Sequence, residues 1–203
     1  MQTVRRSLLS LWVCGLLLGG SAAWAASEAE AEARRLSLEV DRLARKNAWS
    51  GVERAFRQLE GLGLPIPLSA RILGAQAAME DGDMLTALTR LQVGLSGAEP
   101  ASDPNSDFQR AKDIVASLRA RYGMVHIVVD ESAAPILVRD PLPFAIQERQ
   151  AIGFAAAKIL EKRAFMGLLP VGDYVLEDRP FTVSPGHRIV EVPIGASPVG
   201  AGP

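Results

Sequence analysis

The stretch from Leu68 to Leu95, LSARILGAQAAMEDGDMLTALTRLQVGL, decides the fold of this 203-residue chain. Leu68, Ile72, Ala75 and Met79 recur at the spacing of one helix face, and Met84, Ala87, Leu88, Leu91 and Leu95 repeat the pattern after a break. The break is Asp81-Gly82-Asp83. The triplet turns one helix into the next. The stretch therefore reads as a helical hairpin whose two arms each bury one apolar stripe.

The pattern extends in both directions. Upstream, Leu36, Val40 and Leu43 form one stripe and Trp49, Val52, Phe56 and Leu59 another, with Lys46-Asn47-Ala48 as the turn. Ser27 to Glu32 reads as a frayed helix start. Gly61, Gly63, Pro65 and Pro67 end this pair, because proline lacks a donor and glycine loses too much entropy inside a helix. Downstream, residues 97–105 (GAEPASDPN) form a loop by composition. Ser106 or Asp107 then caps a fifth helix with the stripe Phe108, Ala111, Val115, Leu118 and Tyr122, and Gly123 is expected to close it as a left-handed residue. The two hairpins coincide at an offset of 35 positions, which pairs Asn47 with Gly82, Trp49 with Met84, Val52 with Ala87, Phe56 with Leu91 and Leu59 with Gly94.

A helix-turn-helix unit with a period of about 34 residues resembles the tetratricopeptide repeat. Ala75, Ala78, Gly82, Met84, Ala87, Leu91, Gly94 and Leu95 carry the resemblance; Gly74 stands where that family usually has Leu, and Pro100 lies one place beyond its helix-ending proline. An unrelated pair of helical hairpins is the alternative. The resemblance implies a concave groove, lined by the first helix of each unit, that accepts a peptide or a segment of a partner protein. It places Arg34, Ser37, Asp41 and Arg45 on that groove in the first unit and Ser69, Ile72, Gln76 and Glu80 in the second. A solvated helix face is the competing reading of such charges. Two units are few for a continuous core, so the fifth helix, and the C-terminal part with it, is expected to cap the stack.

From Met124 the period changes to two. Val125, Ile127 and Val129 alternate with His126 and Val128, Ile136-Leu137-Val138 is a second short run, and Asp140-Pro141-Leu142-Pro143 is a stiff turn. Residues 144–163 read as a helix with Ile152, Ala155, Ala156, Ile159 and Leu160 on one face, ended by Gly167. A meander of Tyr174–Leu176, Phe181–Val183 and Arg188–Ile194 follows, with turns at Asp178-Arg179 and Ser184-Pro185-Gly186. Leu169-Pro170, Gly172, Tyr174, Phe181, Val183, Pro185 and Gly186 resemble the second half of a PEGA-type β-domain, although the Pro-Glu-Gly-Ala tetrapeptide itself is absent. The expected class is α+β: a helical domain over 28–122, a small β-rich domain with an inserted helix over 124–194, and a flexible tail over 195–203.

The N-terminus predicts export. Arg5 and Arg6 precede the apolar run Leu8–Leu18, and Ala23-Trp24-Ala25 offers the small residues that a signal peptidase accepts, so cleavage is expected after Ala25. An uncleaved membrane anchor is the alternative. Cys14, the single cysteine, lies inside that segment, so the mature chain has no disulfide and no thiolate. Without Arg5 and Arg6 the 22 basic residues fall to 20 against 23 acidic ones. That balance argues against nucleic acid, which needs clustered Lys and Arg to displace counterions.

Catalytic parts are scarce. His126 sits in an apolar strand and His187 follows a turn glycine, 61 positions apart. No Gly-x-Ser-x-Gly elbow or phosphate-cradling loop is present, no zinc pattern can be drawn from two distant histidines, and Glu80, Asp81 and Asp83 lack calcium-loop spacing. An acid pair among Asp130, Glu131 and Asp140 is the residual enzymatic option. The sequence thus predicts an exported, non-enzymatic adaptor of the cell envelope that holds a protein or peptide partner and uses no cofactor. A module that binds cell wall or glycan through the β-domain is the alternative.

Overall fold

A computed structural model describes residues 18–101, 103–130 and 135–194; for residues 18–26, 187, 188, 193 and 194 the description is of the backbone alone. The n-region and apolar run of the export segment up to residue 17, Glu131 and the tail 195–203 lie outside the described residues. The fold is α+β. Five helices lead the chain: α1 (Leu18–Ala44), α2 (Trp49–Gly61), α3 (Leu68–Glu80), α4 (Met84–Ser96) and α5 (Asp107–Arg121). Then come β1 (Tyr122–Val129), β2 (Leu137–Val138), α6 (Ile146–Lys162), β3 (Ala164–Pro170), β4 (Gly172–Leu176), β5 (Arg179–Val183) and β6 (Gly186–Ile194).

The offset of 35 is a geometric repeat. Asn47 and Gly82 both take left-handed backbone angles, with φ of 53° and 86°. At each turn an amide reaches back five residues, Ala48 N–H to the Leu43 carbonyl at 3.0 Å and Asp83 N–H to the Ala78 carbonyl at 2.9 Å. This is the paired hydrogen-bond arrangement that satisfies the last carbonyls of a helix. Asp83 then caps α4 by accepting from the Thr86 amide at 3.0 Å. The arms that follow the turns, α2 and α4, are both 13 residues long.

Inside the first hairpin and against α3, Leu36, Val40, Val52, Phe56, Leu59, Ala70 and Ala77 form one buried cluster. Each large side chain taken fully out of water there contributes roughly 1.5–3 kcal/mol. One polar assembly is embedded beside it. Arg90 of α4, 4% exposed, donates to the Gly74 carbonyl of α3 at 2.8 Å and to the carboxylates of Glu53 and Glu60 on α2. Its guanidinium also lies 4.6 Å from the centre of the Phe56 ring. One side chain thereby ties three helices together. The Phe56 ring explains Gly74, because a Cβ there would stand 2.6 Å from it, so Phe56 occupies the volume a leucine would claim. Gly74→Ala sets about 1 kcal/mol of gained helix propensity against about 1–3 kcal/mol of overpacking. A net loss of up to about 2 kcal/mol is expected in a urea titration.

The helical half passes into the strand-rich half without a linker. Gly123 does not close α5. Tyr122 already has extended angles (φ −129°, ψ 148°), and Gly123 belongs to β1, where a Cβ would lie 2.1 Å from the Ser184 carbonyl oxygen. Close approach of two backbones, not a left-handed cap, requires that glycine. Ser106 does cap α5, accepting from the Gln109 amide at 3.2 Å.

The strands form two three-stranded sheets, ordered β3-β1-β6 and β2-β4-β5. The expected meander is corrected: β4 and β5 pair antiparallel, but β6 leaves them and pairs parallel to β1. Alternation in β6 marks which residues face inward and says nothing of the partner strand. The predicted alternation in β1 is present, with Val125, Ile127 and Val129 buried. The inserted helix spans Ile146–Lys162, two residues later at its start than expected, and Arg163 in the left-handed region (φ 56°) ends it. Gly167 instead lies within β3, a strand absent from the sequence reading. Ala151, Ile152, Ala155 and Ile159 are buried, whereas Leu160 is 67% exposed because it sits one residue off that stripe.

A second core cluster joins the halves. Ile72, Met84, Leu88, Leu91, Ala111, Val115, Leu118 and Tyr122 pack with Ala151 of α6 and Leu168 of β3. Gly82, at the hairpin turn, touches α6 directly, since a Cβ there would lie 2.4 Å from the Gln150 carbonyl oxygen. Glu148 accepts from Arg121 at 2.7 Å and lies 3.8 Å from Arg139, so it links α5, α6 and the segment after β2.

Candidate functional site

The first helix of each hairpin, α1 and α3, and then α5 lie side by side, α1 against α3 and α3 against α5. Between α3 and α5 the surface opens into a cavity of about 690 Å³. Its floor is apolar, from Ala75 and Met79 of α3 and Ile114 and Leu118 of α5. Its rim carries Gln76, Arg110, Asp113, Ser117 and Arg121, with Tyr122 and Gln147 at the end nearest α6. A volume of this size with a few polar groups over an apolar floor falls in the range of ligand-binding clefts.

The electrostatics of the rim follow from its partners. Arg121 is held by Glu148, whose hydrogen bond raises the guanidinium's pKa above its ordinary value. Asp113 accepts from the Gln109 amide nitrogen at 2.7 Å. Burial pushes the Tyr122 phenol up, so it meets the cavity as a neutral hydroxyl. The cavity thus offers apolar contact with a few charged groups at its rim, of which Arg121 is neutralised by Glu148.

Of the eight groove residues read from the sequence, Gln76 lines this cavity. Arg34 and Ser37 line a second, shallower depression of about 520 Å³ formed by α1 and the linker residues Leu64, Pro65 and Pro67. Asp41 and Arg45 are ion-paired to each other, with the Arg45 side chain 77% exposed. Ser69 is exposed and Glu80 half-buried. Ile72 is a correction. It is 1% exposed and packs in the cluster shared by α3, α4 and α5, so no partner can reach it. A four-position selection along α3 crosses from the groove side to the core side, and Ile72 falls on the second.

The α5 residues Arg110, Asp113, Ile114 and Ser117 were missed because α5 reads from its apolar stripe as a cap. One signal could have found them: α5 follows α4 as α3 follows α2, so its outer face continues the row of first helices. The chemistry-bearing residues of the other half are dispersed. His126 is half-buried in β1 opposite Met166, and Asp130 and Asp140 are exposed at the two ends of the connection around β2. Among the described residues no group of three His, Cys, Asp or Glu is placed to hold a metal ion, and no helix is long and apolar enough to cross a membrane.

No protein-family model, curated protein or solved structure matches the chain.

Proposed function

We propose that this protein is an exported, non-enzymatic adaptor of the cell envelope that holds a segment of a partner protein between α3 and α5. The observation that carries the reading is the cavity of about 690 Å³ between those helices, floored by apolar side chains and rimmed by Gln76, Arg110 and Ser117. Its position is that of the concave groove implied by a tetratricopeptide-like stack, with α1, α3 and α5 as successive first helices. The matched turns at Asn47 and Gly82 support that stack. Export is supported by Arg5, Arg6, the apolar run and Ala23-Trp24-Ala25. The PEGA-type likeness runs from the end of β3 through the β4–β5 hairpin, where Tyr174 stacks on Phe181 at 5.4 Å, to the start of β6. Nucleic acid and cofactors have no part in this reading.

A glycan-binding role for the strand-rich half has less support. Stacking on a sugar ring needs an open aromatic face, and Tyr174 and Phe165 are 1% and 6% exposed. The open ring of Phe144 belongs to the loop before α6.

Ser117 is exposed on the cavity rim, so Ser117→Trp obstructs the cavity without entering the core. The variant should retain at least tenfold less partner from envelope extract than the parent, while Thr89→Trp on the exposed side of α4 retains it fully. Equal retention by the two variants would remove the groove reading.

A further inference from the structure

The connection before α6 and the first residue of that helix present Leu142, Phe144 and Ile146 to solvent at 60%, 98% and 65% exposure. Three large apolar side chains exposed at alternate positions within five residues are unusual for a free surface and mark an interaction site. The loop is held in place: the Arg149 guanidinium donates to the carbonyls of Pro143 and Phe144 at 3.4 and 3.2 Å. A pre-ordered segment loses little conformational freedom when it is covered. The loop also runs directly into Gln147, which lines the α3–α5 cavity, and Glu148, which holds Arg121 of the cavity rim. Phe144 is thus three residues from Gln147 of the cavity lining, which sets an apolar knob beside an apolar-floored hole.

We infer that the occupant of the cavity, in the absence of another partner, is the Leu142–Ile146 loop of a second copy of this chain, with Phe144 seated between α3 and α5. The inference rests on the reading of the cavity as a site for a protein segment and names that segment. Because knob and hole are neighbours, a twofold axis between them places each knob over the other chain's hole, the self-complementary arrangement of a symmetric dimer. Area favours this occupant. The three side chains expose roughly 400 Å² of apolar surface, given about 150–250 Å² for a phenylalanine. One insertion with its receiving walls is small for a stable complex, but two related by symmetry approach the roughly 1,600 Å² of a standard interface. A lipid surface is less well matched, because the loop has Asp140 at its start, Arg139 before it is engaged by the Val171 carbonyl and Glu148, and Arg149 is turned back onto the loop's own carbonyls. Partner capture and self-association then compete for one cavity.

The test uses the full chain with Cys14→Ser, which leaves no other cysteine. Two single variants, Phe144→Cys and Ser117→Cys, are mixed and oxidised, and sedimentation is measured on the parent and on Phe144→Ser. The expected result is a concentration-dependent dimer in the parent, at least tenfold weaker association in Phe144→Ser, and a disulfide between the two different variants that exceeds the disulfide within either alone. Both substituted positions are exposed, so unchanged circular dichroism confirms that the variants fold. A parent that stays monomeric, a dimer indifferent to Phe144→Ser, or Phe144-dependent retention on phosphatidylcholine vesicles without a dimer overturns the inference. If the parent is monomeric while Ser117→Trp still abolishes partner capture, the groove reading stands and self-association alone falls.

Discussion

Arg90→Met is expected to lower stability by about 3–5 kcal/mol, because truncating one member of a buried ion pair strands the other in a poorly solvated place. Glu53, 7% exposed, would keep only Arg57, whose side chain is 70% exposed, and the Gly74 carbonyl would lose its donor. Glu60, more open to solvent, can return to water. For a chain of this size the loss corresponds to a fall in Tm on the order of 10 °C. The double variant Arg90→Met/Glu53→Met should recover most of it, since an apolar replacement of a whole buried pair is often neutral or better. A double variant as unstable as Arg90→Met would show that the ion pair is not the source.

The same substitution reverses the sign of the pH response. In the parent, burial raises the Glu53 pKa, but hydrogen bonds from Arg90 and Arg57 outweigh it and hold the carboxyl below its ordinary 4.5. Its contribution to stability is therefore complete above that value and is lost as pH falls through the lower folded pKa. Without Arg90 only the exposed Arg57 opposes burial, so the folded pKa is expected to rise above the unfolded one and acidification then relieves the charge. The stability gap between parent and Arg90→Met should thus narrow as pH falls from neutrality toward 4.5. Asp81 nearby is pushed up first by burial and then by the Glu53 charge, and the Arg90 charge opposes this, so losing Arg90 raises Asp81 further and narrows the gap on acidification in the same direction.

Gly82→Ala is the second large effect. The residue has φ of +86°, where a side chain costs about 1–2 kcal/mol, and its Cβ would stand 2.4 Å from the Gln150 carbonyl oxygen of α6. That contact is with backbone, so relief requires α6 to move away from the hairpin turn, adding about 1–3 kcal/mol. A total of about 2–5 kcal/mol is expected in urea, with hydrogen exchange rising in α6 as well as at the turn. Gly63 is the control. It also has positive φ (66°) but nothing within 4 Å of an added Cβ, so Gly63→Ala should show only the smaller backbone cost. Equal losses at the two glycines would mean that the contact between hairpin and α6 contributes nothing.

The elements legible in the sequence are those whose signal is local. Asn47 and Gly82 announce their turns by residue type, and the stripes at Val52, Phe56 and Leu59 or Ala87, Leu88 and Leu91 announce their buried faces, so the hairpins could be placed almost to the residue. Strand β3 was hidden because AFMGLLP follows α6 with no glycine or proline before it; Arg163, a residue that seldom adopts positive φ, makes the break. The parallel pairing of β6 with β1 joins segments more than sixty residues apart and leaves no mark in either. The candidate site was half legible for the same reason. Gln76 could be chosen from its place on a first helix, but Arg110, Ile114 and Ser117 become neighbours of it only when α5 packs against α3. Ile72 was misplaced because spacing along α3 defines a set of faces without saying which one meets α4.

The central claim is that a partner segment lies between α3 and α5. A photoreactive benzoylphenylalanine placed at Gln76 or at Thr89 in cells, followed by irradiation of the intact envelope, tests it most directly. The account predicts a discrete protein adduct from position 76, abolished by Ser117→Trp, and none from position 89. Adducts of equal yield from both positions, or from position 89 alone, would contradict it.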